Sequence, residues 1–141
     1  MVICMGIIFS LSAQSGEESS ELSNSFVRTF LEKLGLTIEE GFLRSCAHCL
    51  EFVGLSVLIF NAVFATFEMK LTPLIAFVVT VFYAITDEIH QIFVPDRAFQ
   101  LSDILVDSTG ALIGIIVSLI ILRLYLTVKE RGNKNGSIKT I

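Results

Sequence analysis

Both histidines of the chain and five of its carboxylates fall into three short clusters: Arg44, His48 and Glu51; Asp87, Glu88, His90 and Gln91, with Arg97 just beyond; and Asp103 with Asp107. Each cluster sits at one end of a run that is otherwise apolar enough to cross a bilayer. An Asp, Lys or Arg at the centre of a spanning helix costs about 2.5 to 3.5 kcal/mol on insertion scales, so such groups mark a site unless they only anchor a helix end. Their types suit three kinds of chemistry. Histidine beside carboxyl groups that exchange a proton can act as general acid and base. Arginine forks grip phosphate through paired N–H donors. Carboxylates hold a hard cation, or zinc if imidazole joins them.

Spacing narrows the choice. Arg44, His48 and Glu51 are four and three apart and form one helical stripe. Asp87, His90 and Gln91 share a face, while Glu88 lies about 100° round but near one turn from Gln91. Asp103 and Asp107 are four apart and lead into Gly110 and Gly114, a small-xxx-small seam that admits a close helix of the same chain or of a second copy. Five carboxylates against Arg44 and Arg97 leave three excess negatives, or one if both histidines are protonated. Bound protons, a bound cation or access to water would each relieve that excess. A divalent cation is therefore admitted, although HxxE and DExxQ lack the HExxH arrangement of a zinc peptidase. For Arg44, Arg97 and Asp103, pairing near the head groups that only sets topology is an equal reading. Glu51, Asp87, Glu88 and His90 exceed what anchoring needs. Cys46 and Cys49 form CxxC inside a helical run, without a thioredoxin-like context, and read as packing residues.

The elements that must position these groups are helices in a membrane. The 141 residues are 53% hydrophobic and 17% charged, with mean hydropathy +0.77, too apolar for a soluble domain of this size. No basic cluster points to nucleic acid, and the cysteines Cys4, Cys46 and Cys49 describe no disulfide framework. The pattern predicts an all-α, multi-pass bundle of about four spanning helices over 1–13, 42–67, 71–94 and 103–127, in a membrane domain covering 1–128 with a basic cytoplasmic tail at 129–141. The first helix is short, and a start lying further upstream would complete it. Segment 14–41 carries Leu22, Phe26, Val27, Phe30, Leu31 and Leu34 at helical spacing, with Ser15 and Glu18 as a capping pair, and predicts an extracytoplasmic interfacial helix. Thr37 and Glu40 form a second capping pair that opens the next helix.

Successive helices run antiparallel, so the start of the second, the end of the third and the start of the fourth share one side. His48, Asp87 and Asp107 then lie on the order of 6 to 10 Å inside their helix ends, in one layer near one interface. Ser10 and Gln14 at the end of the first helix are placed to add hydrogen bonds. Lys70, Lys129, Arg131, Lys134 and Lys139 lie at the opposite ends, which places those ends in the cytoplasm and the polar layer outside.

Four stretches in order, FSLSAQSGEESSELS at 9–23, RSCAHCLEF at 44–52, DEIHQIFVPDR at 87–97 and SDILVDSTGALIG at 102–114, resemble the ordered motifs of the VanZ-like family. Asp96 stands where that family usually has glycine, and Cys49 where an aromatic is common; neither change removes an ionisable group. The resemblance implies a small bacterial membrane protein typified by an accessory factor for teicoplanin resistance. It marks His90, Glu88, Asp87, Glu51 and His48 as a candidate catalytic set, and Arg44, Arg97, Gln91, Gln14, Asp103 and Asp107 as candidate substrate-binding residues. The partner it implies is an envelope lipid or a lipid-linked cell-wall precursor, with a homo-oligomer through the Gly110/Gly114 seam as a further expectation. In an enzymatic version His90 or Glu88 is the base, Asp87 and Glu51 orient it or hold a cation, and the arginines hold a phosphate. A non-catalytic shielding protein is the alternative. A small cation-coupled transporter fits less well, because the charges cluster at one interface and not at the midplane.

Overall fold

A helix satisfies its own backbone hydrogen bonds, the condition for a single segment to cross lipid, and the long apolar runs of this chain all take that form. The computed structural model describes residues 2–13, 40–67, 70–95 and 97–137. Within them lie α1 (Val2–Ser12), α2 (Glu40–Phe64), α3 (Thr72–Gln91) and α4 (Leu101–Ser137), and no strand. The all-α bundle expected from the sequence is the observed architecture. Ser45–Phe64, Thr72–Gln91 and Leu101–Gly132 are each long and apolar enough to cross a membrane. The 11 residues of α1 extend ~16 Å, about half of a ~30 Å hydrocarbon core. The interfacial helix expected over 14–41 lies outside the described residues, apart from Glu40 and Gly41, which already belong to α2.

The helix ends differ from the expected ones for local reasons. α3 stops at Gln91, ahead of the predicted Val94, because the next amides tighten onto carbonyls three residues back: Ile92 on Ile89, Phe93 on His90 and Val94 on Gln91. Pro95 has no N–H with which to resume the ladder. α4 starts at Leu101 and continues through Ser137, so much of the stretch assigned to a tail is helical. Lys129, Glu130 and Arg131 are good helix formers, and at ~55 Å the helix is longer than the lipid core is thick.

Each long helix buries one stripe. On α2 it is His48, Phe52, Leu55, Ser56, Ile59 and Phe60; on α3 it is Thr72, Ala76, Thr80, Ala84, Asp87, Glu88 and Gln91. On α4 the stripe is Asp107, Gly110, Ala111, Gly114, Ile115 and Ser118. The α2–α4 pairing is the most extensive. A Cβ on Gly110 would fall onto the Cys49 carbonyl oxygen, and one on Gly114 onto the Ser56 hydroxyl and 2.5 Å from the Val53 carbonyl oxygen. These pairs advance together along both helices, so α2 and α4 run parallel, and α3 packs against both. The glycine seam is thus filled by a helix of the same chain. Large apolar side chains such as Leu58, Leu74, Val78, Phe82, Leu112, Ile116 and Ile120 are exposed around the outside, the distribution a lipid solvent selects.

Candidate functional site

The α3 stripe changes character along its length. Thr72, Ala76, Thr80 and Ala84 are small and four apart, so neighbouring helices approach closely. The next turn of the same face carries Asp87, Glu88 and Gln91, all buried, with Glu88 at 0% and Asp87 at 2% exposure. On α4, Asp107 at 0% exposure continues the stripe of Gly110 and Gly114 one turn toward the same end. His48, also buried, precedes Cys49 on α2, and its Nδ1 lies 3.9 Å from Asp107 Oδ1. Close packing of the glycines against α2 is therefore what sets the histidine beside the aspartate.

The carboxylates are held in a consistent way. Asp87 Oδ2 accepts from the Ser12 hydroxyl at 2.7 Å and from Gln91 Nε2 at 3.4 Å. Glu88 Oε2 accepts from the Gln100 backbone N–H at 2.9 Å. The other oxygen of each, Asp87 Oδ1 and Glu88 Oε1, is buried without a hydrogen-bond partner among the described residues, as are both oxygens of Asp107 and Nδ1 of His90. Native proteins pair nearly all buried polar atoms, so this concentration at one end of the bundle is unusual. Arg97 is half-buried in the stretch between α3 and α4.

His90 is turned away from this network. Its ring packs against Phe9 of α1 at a centroid distance of 4.0 Å, and no carboxylate among the described residues is hydrogen-bonded to it. Asp87, expected to orient the base or to hold a cation, accepts from Ser12 and Gln91 through Oδ2. Asp103 lies half-buried in the first turn of α4, and Glu51 half-buried on α2. The Arg44 side chain and Gln14 lie outside what the structure describes. Among the described residues no group of three His, Cys, Asp or Glu side chains is gathered so as to hold a metal ion.

A family model, VanZ/LLP1, matches residues 1–123. The chain belongs to the VanZ/LLP1 family. No curated protein and no solved structure matches it. The matched span of this VanZ/LLP1 membrane protein includes every candidate side chain named above and ends within α4.

Two contributors to the VanZ/LLP1 site escape a reading of the sequence. Ser12 supplies the hydrogen bond foreseen for Ser10, which is exposed, and Tyr83 donates from α3 to the Met5 carbonyl at 2.6 Å. α1 is apolar on every side, so periodicity cannot tell which of its serines faces inward. Tyr83 carried a weak signal, since it lies one helical turn before Asp87 in an otherwise apolar run.

Proposed function

We propose that this VanZ/LLP1 protein handles the head group of an envelope lipid or lipid-linked cell-wall precursor at the polar end of its bundle. The consequence would be altered access of a glycopeptide such as teicoplanin to its surface target in a bacterial envelope. The observation that carries the reading is the burial of Asp87, Glu88, Gln91, His48 and Asp107 at one level of three neighbouring helices. By helical rise they lie about 12 Å or less inside the helix ends, where a head group is in reach and a soluble substrate meets less water. Exposed Lys70, Lys129 and Arg131 lie toward the opposite end, which supports a cytoplasmic C-terminus and an outward site. Arg97 is the described cation suited to a phosphate, and Arg44 occupies a matching position in the first turns of α2.

A non-catalytic role, gripping and shielding a head group, draws support from one feature. Among the described residues no carboxylate is hydrogen-bonded to His90 to orient it as a base, whereas Asp87 and Glu88 are each anchored through one oxygen, as binding groups are. Transport is less favoured. Deeper in the bundle the buried polar groups Ser56, Thr80 and Ser118 each bond a carbonyl of their own helix, and no buried ionisable group among the described residues continues the layer across the lipid.

The deciding experiment incubates purified protein with envelope lipids and cell-wall precursors and follows them by mass spectrometry, with Glu88→Gln as the control. A product made only by the unaltered protein establishes catalysis and names its substrate. Retention of a lipid that depends on Glu88, with no product, establishes shielding. Neither product nor retention discards the lipid assignment.

A further inference from the structure

Among the described residues, most of the buried atoms without a hydrogen bond at the polar end are carboxylate oxygens. Asp87 Oδ1, Glu88 Oε1, Asp107 Oδ1 and Asp107 Oδ2 are acceptors, on side chains at 2%, 0% and 0% exposure. Nearby hydroxyls do not serve them: Ser108 donates to the Ile104 carbonyl at 2.7 Å, Ser56 to Val53 at 2.9 Å and Thr86 to Tyr83 at 2.7 Å. Asp87 and Glu88 are each pinned by one oxygen and present the other. Asp87 and Glu88 on α3 and Asp107 on α4 are buried at one level of the bundle where these two helices pack, so their bare oxygens form one acidic cluster. His48 Nδ1 stands 3.9 Å from Asp107 Oδ1; what completes the rest of this cluster must bring hydrogen-bond donors and positive charge.

We propose that the pocket formed by Asp87, Glu88 and Asp107 seats a primary ammonium group, and that the head group handled here is an amine-bearing one. The inference rests on the head-group reading above and narrows it to a substrate class. A protonated primary amine has three N–H donors that diverge, each reaching a charged acceptor at about 2.7 to 2.9 Å. A metal ion instead needs its ligands drawn in to about 2.0 to 2.6 Å, and the described side chains do not form such a group. A quaternary ammonium brings charge without donors and would leave the carboxylate oxygens as they are. Arg97, half-buried in the stretch between α3 and α4, would hold the anionic part of a zwitterion.

The amine can arrive on a lipid or on a small soluble molecule, and the test separates the two. The full chain in detergent is given equal mixtures of phosphatidylethanolamine, phosphatidylcholine and phosphatidylglycerol with identical acyl chains, and retained lipid is counted by native mass spectrometry. In parallel, phosphoethanolamine and phosphocholine are titrated by calorimetry. Retention of the ethanolamine lipid at least about tenfold above the other two, the ratio one charge-assisted hydrogen bond supplies, supports the proposal with a lipid source. Asp107→Asn and Glu88→Gln should each bring that ratio close to one. Two variants are used so that misfolding of either leaves the other to decide. Binding of phosphoethanolamine over phosphocholine without lipid retention supports the amine pocket and discards the lipid reading. Equal retention of all three lipids, still lowered by Glu88→Gln, overturns the amine assignment and leaves the lipid site standing. Binding of none of these probes overturns both.

Discussion

The two halves of the bundle treat a buried polar group in opposite ways. Toward the Thr72 end, Ser56, Thr80 and Ser118 are hydroxyls that donate to carbonyls three or four residues back on their own helices. That half needs nothing from outside. Toward the Gln91 end the same stripes carry carboxylates that accept from α1, from the stretch between α3 and α4 and from Gln91, while other oxygens of theirs make no hydrogen bond among the described residues. Helices can therefore pack by one rule along their whole length while only one end is left incomplete for a ligand. The first half is self-satisfied packing and the second holds the candidate site, a division that proteins with strained or under-satisfied sites show widely.

The largest effect should come from wedging apart the contact both halves share. Gly114→Leu drives a side chain into the Val53 carbonyl and the Ser56 hydroxyl. It should lower stability by about 3 kcal/mol or more, the upper end of overpacking costs, as read by thermal unfolding in detergent. A variant as stable as the parent would mean that α2 and α4 do not pack through this seam. Next in size is Ser12→Ala, which removes the bond from α1 to Asp87 at a cost of about 1 to 3 kcal/mol. Hydrogen exchange should speed up in α1 and stay slow in the core of α2 and α4; uniform acceleration would show that α1 is no separate unit.

The smallest effects carry the sharpest contrast. Asp107→Asn relieves repulsion among the buried carboxylates of this end and should raise stability by about 1 kcal/mol. Thr80→Val deletes a hydroxyl already satisfied within its helix and should lower it by less than about 1 kcal/mol. Matched unfolding curves for the two variants test the sign directly. A loss of stability in Asp107→Asn would place this aspartate among the structural groups of the other half.

The amino-acid order by itself determined a great deal. Apolar runs of sufficient length, broken by charges near particular ends, prescribe an all-α membrane bundle. Alternating helix direction then brings His48, Asp87 and Asp107 to one level, and the His48–Asp107 approach of 3.9 Å has that arrangement. The four ordered motifs pointed to the family whose model covers residues 1–123. Helical periodicity supplies height along an axis and a face around it, and such features follow from those two coordinates alone.

Only the tertiary structure decided how neighbouring helices are rotated and how far apart they stand. That rotation sets His90 against Phe9 while Asp87, on the same helix face in sequence, accepts from Ser12. It also selects Ser12 over Ser10 on a helix with no polar side, and fills the Gly110/Gly114 seam from within the chain. Hydrogen bonds depend on tenths of an ångström and on the direction of single atoms. Which carboxylate oxygens are anchored and which remain bare is settled at that scale, by the packing of side chains far apart in the chain.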